Sequence, residues 1–142
     1  KFKITDCKAV TTVSGGAIQL CPLTGDTLAV GTGAETSLKW LLSDKRQAPE
    51  WLSNNTPVWA TYSDAMLENF VIPSQVKNIV FIGDNDASFS GQKSAYLAAF
   101  KARRDNKELV NIAVCFLIDF NGQLTPIYDY GIGKDFADMV YL

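Results

Sequence analysis

Asn78-Ile79-Val80-Phe81-Ile82-Gly83-Asp84-Asn85-Asp86 is the stretch on which the fold turns. From Ile79 to Gly83 it has no polar alternation, the pattern of a strand covered on both faces. Such strands belong to parallel sheets with helices above and below. The apolar run ends abruptly at two carboxylates separated by one residue.

Working outward, Gly91 to Asn106 has helical spacing, with Ala95, Ala98, Ala99 and Ala102 on the core face and Lys93, Lys101, Arg103 and Arg104 mostly away from it. Ile112 to Ile118 reads as another buried strand. Upstream, Pro57-Val58-Trp59-Ala60 reads as a strand, followed by a short helix from Asp64 to Phe70 that Pro73 closes. Leu28-Ala29-Val30 is a strand ending in Gly31-Thr32-Gly33, and Ala34, Leu38, Leu41 and Leu42 mark one face of the helix after it. Two short strands around Ser14-Gly15-Gly16, the second being Ala17 to Leu20, form an antiparallel hairpin at one edge. The alternation predicts an α/β fold: a Rossmann-like parallel sheet with right-handed crossovers, flanked by helices and extended by that hairpin. Ligands then bind beyond the carboxyl ends of the strands, in the loops after Val30, Gly83 and Ile118.

Composition narrows the chemistry. A chain of 142 residues is of one-domain size and needs no staples to bury a core. With 47% hydrophobic and 20% charged residues it is globular rather than disordered. No apolar run approaches the roughly 20 residues of a membrane span. Lys1 to Lys8 alternates polar and apolar residues without a signal-peptide pattern, and a cytoplasmic location is expected. A first residue other than Met fits a trimmed or excised domain. Cys7, Cys21 and Cys115 are widely spaced with no C-x-x-C pair, and read as buried thiols. The chain contains no His, which excludes Ser–His and Cys–His catalysis and imidazole ligation. The net charge of −2 gives no global attraction for nucleic acid, so such a partner needs a local basic surface.

Asp84 and Asp86, two apart at a strand end, project to one side if the extended conformation persists. At about 5 Å and an effective dielectric of about 20 they repel by roughly 3 kcal/mol, a cost that a divalent cation removes. Hard oxygen donors with room for water suit Mg²⁺. The competing reading is a polar turn that caps the next helix; the position after a wholly apolar strand favours the metal. Gly31 to Glu35 lies at another strand-to-helix junction. There Glu35 is either a first-turn acid facing the helix dipole or a further carboxylate near the metal. Asp135 and Asp138 share a face if their segment is helical, and otherwise read as an N-cap and a solvated acid. Lys93, Lys101, Arg103, Arg104 and Lys107 form a basic stretch, more often a solvated helix face than a nucleic-acid site. Trp40, Trp51 and Trp59 read as core or edge packing. A phosphatase-like enzyme with Asp84 as nucleophile is disfavoured because the acid pair comes late in the chain.

Four segments taken in order carry a resemblance. They are Leu28 to Leu38; Trp59-Ala60 with Leu67-Glu68-Asn69; Ile79 to Ala87; and Gly133-Lys134-Asp135-Phe136. Together they resemble the Toprim domain of plasmid and phage DNA primases. Gly15-Gly16-Ala17-Ile18-Gln19-Leu20 is similar to the stretch that precedes this domain in primases of mobile elements. The resemblance implies residues 1–26 as a hairpin extension packed on a Toprim-like domain of residues 27–142. It also implies Mg²⁺ or Mn²⁺ held by Asp84 and Asp86, with Asp135 beside the metal, and RNA primer synthesis from nucleoside triphosphates on a single-stranded DNA template. Lys93, Arg103, Arg104 and Lys134 are the expected phosphate or template contacts, and zinc-binding and helicase modules of a longer protein the expected companions. One position departs: the family places a Glu before the glycine of its first motif, and here Thr32 stands there. A hydroxyl cannot replace a carboxylate as base or anionic ligand near neutral pH. Glu35, one helical turn on, matches a second acidic position of the subfamily and is the expected catalytic partner of Asp84 and Asp86. The alternative is a catalytically degenerate module that binds nucleic acid or metal.

Overall fold

The computed structural model describes residues 13, 14 and 16–130. In chain order the elements are β1 (Val13–Ser14), β2 (Ala17–Gln19), β3 (Thr27–Thr32), α1 (Ala34–Leu42), β4 (Val58–Thr61) and α2 (Asp64–Glu68). They continue with β5 (Asn78–Gly83), α3 (Ser90–Asp105), β6 (Asn111–Phe120) and β7 (Gln123–Asp129). One sheet contains these seven strands in the order β1-β2-β4-β3-β5-β6-β7. Its centre, β4-β3-β5-β6, is parallel, while β2 runs antiparallel to β4 and β7 antiparallel to β6. The N-terminal hairpin therefore extends one edge of a Rossmann-like sheet, as the turn residues predict.

Strand alternation divides the core into two layers. Leu28, Val30, Ile79, Phe81, Ile112 and Val114 face Leu67 of α2 and the alanine stripe of α3. Ala29, Val58, Ala60, Val80, Ile82, Ala113 and Cys115 face Trp40 of α1. The stripe Ala95, Ala98, Ala99 and Ala102 is buried, which lets the 16-residue α3 lie close against the sheet.

Three details depart from expectation. The buried residues of α1 are Ser37 and Trp40, whereas Leu38 and Leu42 are exposed. A Cβ built on Gly31 would lie 2.3 Å from Ser37 Oγ, so the helix is rolled to set its small residue against the strand. Past Ile118, β6 runs on to Phe120 and returns through Asn121-Gly122, both at positive φ, into β7. No strand-to-helix loop stands there; the two left-handed residues make the hairpin. Cys21 is disulfide-bonded rather than a thiol, and Cys115 is a buried free thiol.

The two ends of the parallel strands differ in kind. At the amino ends Asn111 donates to Asn78 at 2.8 Å and Asn78 to Thr27 at 3.1 Å, closing that edge with an amide ladder. At the carboxyl ends the strand order reverses between β3 and β5: the chain leaves β3 for β4 on one side and reaches β6 from β5 on the other. In open α/β sheets ligands bind at such a switch point, which here lies between the loops after Thr32 and Gly83. No helix among the described residues is long and apolar enough to cross a membrane.

Candidate active site at the carboxyl edge of the sheet

Asp84 is the first residue beyond β5, and it is held from both helix layers. Thr36, in the first turn of α1, donates its hydroxyl to Asp84 Oδ1. On the α3 side, a Cβ on Gly91 would stand 2.3 Å from the Asp84 carbonyl oxygen and 2.8 Å from its Cβ. Only a residue without a side chain fits there, so the start of α3 lies directly against the acid. Gly33 begins α1 at φ 78, a conformation open to glycine, and thereby turns the chain out of β3 so that Thr36 can reach across to β5.

Asp86 is dressed by the loop that leads into α3. Ser88 donates to its Oδ1 and Ser90 to its Oδ2, each at 3.2 Å. Gln92 donates to Asn85 Oδ1 at 2.8 Å and to the Asp86 carbonyl at 3.2 Å, fixing the loop from within the helix. Among the described residues neither Asp84 nor Asp86 forms an ion pair with a basic side chain. Both carboxylates are partly buried, and among the described residues hydroxyls hold them.

Two acids of α2 enter the same region. Asp64 and Glu68 stand one turn apart on the helix, and Ser94 of α3 donates to Glu68 Oε2 at 3.1 Å. Burial above all, then the charges of Asp84, Asp86 and Glu68, push the Asp64 carboxyl above its ordinary range, against the pull of a hydrogen bond with Ser90. Ser90 has one proton and two acids within reach, so it satisfies one at a time. Sequence reasoning used Asp64 only as a helix start. Its i, i+4 spacing with Glu68 was the available signal, but the approach to β5 is purely tertiary.

The other expected residues are scattered. Glu35 is 83% exposed and forms an i, i+4 ion pair with Lys39 at 3.0 Å. Its neighbour Thr36, not Glu35, is the α1 residue that touches Asp84. Thr32 ends β3 with its hydroxyl buried and without a hydrogen-bond partner. Lys93 is exposed near the start of α3. Arg104 pairs with Asp105 at 2.8 Å at the other end of the helix, and Arg103 donates to the Leu109 carbonyl at 2.9 Å. These two guanidiniums lie on the last turn of α3, remote from the acid pair along a 16-residue helix. Lys134 and Asp135 lie outside the described residues.

Among the described residues the donor set fits a hard divalent cation: carboxylate and hydroxyl oxygens, with no ion pair to an ammonium or guanidinium. Among the described residues no three acidic, His or Cys side chains converge into a ready cage. That matches the habit of Mg²⁺, which takes one or two carboxylates and completes its shell with water and phosphate oxygens.

The family model described as Toprim domain matches residues 27–140. No curated protein and no solved structure matches the chain.

Proposed function

Because the chain belongs to the Toprim family, whose domains bind divalent metals such as Mg²⁺ and serve nucleic-acid metabolism, we propose that it carries out metal-dependent nucleotidyl transfer. The specific reaction we assign is RNA primer synthesis on single-stranded DNA from nucleoside triphosphates, as in primases of plasmids and phages. One observation supports this above others: Asp84 and Asp86 are presented at the topological switch point, held by hydroxyls and, among the described residues, in no ion pair with a basic side chain.

Asp84 and Asp86 would hold Mg²⁺ or Mn²⁺, which when bound neutralises triphosphate oxygens and orients the attacking hydroxyl. The chain itself contributes position. Thr36 and the Gly91 contact fix Asp84, while Ser88, Ser90 and Gln92 fix the loop that bears Asp86. Asp135 and Lys134 remain part of the proposal beside the cation and the phosphates. Lys93 is the basic residue of α3 nearest along the chain to the acids, with Arg103 and Arg104 as template contacts further along the helix. Glu35 would act in catalysis only after leaving Lys39, a surface pair worth a few tenths of a kcal/mol. Zinc-binding or helicase modules in a longer protein belong to the same reading. So does a cytoplasmic setting, which the disulfide at Cys21 opposes. Differential alkylation of cell extracts decides that point.

The second reading is a degenerate module that binds nucleic acid or metal without synthesis. It is favoured by the buried hydroxyl at Thr32 and by the outward turn of Glu35. A primer-synthesis assay with Mg²⁺ or Mn²⁺ separates the two, with DNA and metal binding measured alongside. Product from the native chain that disappears in Asp84→Ala supports the enzyme. Binding without product in either, with product gained in Thr32→Glu, supports the module.

A further inference from the structure

We propose that Asp64, backed by Glu68, is the third acidic group of the cation site and acts through cation-bound water rather than by direct coordination. This rests on the reading of Asp84 and Asp86 as the cation-holding pair and adds to it a residue delivered from α2.

Position comes first. Ser63 caps α2 by accepting from the Met66 amide at 3.3 Å, which sets Asp64 in the first turn and Glu68 one turn later. Across the gap, the first turns of α3 supply Ser90, hydrogen-bonded to Asp86 and within reach of Asp64, and Ser94, hydrogen-bonded to Glu68. At this end the two helices thus meet through hydroxyls and carboxylates, while the Lys101 contact to Asn69 at 3.2 Å lies at the far end of α2.

Spacing comes second. Asp64 is near enough to Asp84 and Asp86 for their charges to act on it, yet no three of these acids converge on one coordination sphere. Close but not touching is the spacing at which a carboxylate accepts hydrogen bonds from water held by a hydrated cation. An acid placed in a first helical turn merely to face the helix dipole has no need of three other carboxylates around it.

A third observation is independent of the acids. Thr32 is 7% exposed and its Oγ1 has no partner. Strand alternation puts it on the face of Leu28 and Val30, which packs against Leu67 of α2 and Ala95 of α3. One step further toward the carboxyl edge, the same alternation turns its side chain to the side of the sheet on which α2, with Asp64 and Glu68, is packed. A buried hydroxyl in a polar gap calls for ordered water, and that water is what the carboxylates of α2 would share.

The test is Mn²⁺ binding to the whole chain, followed by electron paramagnetic resonance, with thermal unfolding in EDTA and in Mn²⁺. The proteins are the native chain, Asp64→Asn, Asp64→Glu, Asp84→Asn and, at the opposite edge of the sheet, Glu108→Gln. Asp64→Asn should weaken Mn²⁺ by roughly 10-fold, the usual cost of losing an outer-shell partner. In EDTA it should unfold no earlier than the native chain, because a repelling charge has gone. Asp64→Glu keeps the charge but misplaces the acceptor, and should weaken Mn²⁺ as well; Glu108→Gln should not. Native affinity in Asp64→Asn beside a loss in Asp84→Asn overturns the proposal and leaves the aspartate pair standing. Native affinity in Asp64→Glu overturns the water-mediated role in favour of bulk charge. No Mn²⁺ binding by the native chain, or undiminished binding by Asp84→Asn, removes the cation-pair reading and this proposal with it.

Discussion

The residue that departs most from its own preferences is Phe89. It starts α3 at φ 63 and ψ 10, in the left-handed region, with its ring 69% exposed. A left-handed L-residue costs roughly 1–2 kcal/mol, and a ring in solvent returns little of that through burial. The loop tolerates it because Asp86 is held on three sides, with Phe89 itself donating its amide to the Asp86 carbonyl at 3.2 Å. Phe89→Gly keeps that amide and removes the steric cost, but adds about 0.5–1 kcal/mol of unfolded-chain entropy. The net expectation is a gain of about 0.5 kcal/mol in urea unfolding; a clear loss of stability would show that the ring is packed. Thr36→Val tests the opposite kind of residue, one whose local geometry is relaxed and whose partner is charged. The isosteric change removes the donor to Asp84 and should cost about 1 kcal/mol of stability, since water reaches the half-exposed acid. Unchanged stability together with unchanged Mn²⁺ affinity would mean that the contact does not hold Asp84.

Between elements, the site depends on how closely α3 crosses β5. A methyl at Gly91 would press on the Asp84 backbone at 2.3 Å, and one at Gly83 on the Gly91 carbonyl at 2.6 Å. Gly91→Ala should therefore push α3 off the strand. Overpacking costs roughly 1–3 kcal/mol, offset by about 1 kcal/mol of better helix propensity. We expect a net loss of about 1 kcal/mol accompanied by weaker Mn²⁺ binding, whereas Gly25→Ala, with nothing within 4 Å, should change neither. Equal effects of the two substitutions on metal binding would refute the close crossing as the cause. The same contacts explain what could be read in advance. Asn78 to Gly83 was legible residue for residue, because an unbroken apolar run bounded by acids leaves few alternatives. The face of α1 was not, because counting leucines ignores the Gly31–Ser37 approach that sets the helix roll. β7 was not legible from strand–helix alternation, which predicts a helix after β6; the local hairpin signal of Asn121-Gly122 runs against that pattern. In the site, Asp84 and Asp86 could be found from their place after β5. Thr36, Asp64 and the serines of α3 could not, because only the packing of three helices on one sheet edge brings them together.

Over the whole molecule, the groups that tie the layers together are acids kept neutral by burial. Trp40 of α1 donates to Tyr128 of β7 at 3.1 Å, above the buried Cys115 of β6, and Tyr96 of α3 donates to Asp129 of β7 at 2.8 Å. Burial first pushes the Cys115 thiol from 9.0 up to about 12. Burial, and then the bond to Asp129, pushes the Tyr96 phenol from 10.0 up to about 12. Tyr128 is raised too, by burial and then by Cys115. In each case the folded state holds its proton at a pH where the unfolded chain has released it, so the unfolded state binds fewer protons and stability falls as pH rises. The contribution is full below 9.0 for Cys115 and below 10.0 for Tyr96, declines above those values and is gone once the pH passes about 12. Melting temperature should therefore fall steadily as pH climbs from 9.0 toward 12, with Cys115 thiol reactivity appearing at unfolding rather than before it. Tyr96→Phe removes one titrating group and should flatten the part of the decline that starts at 10.0, at the cost of the link to Asp129. A melting temperature that stays level across that interval, or a Cys115 that reacts with a thiol reagent in the folded chain at pH 9.0, would show that these groups are not buried as neutral acids.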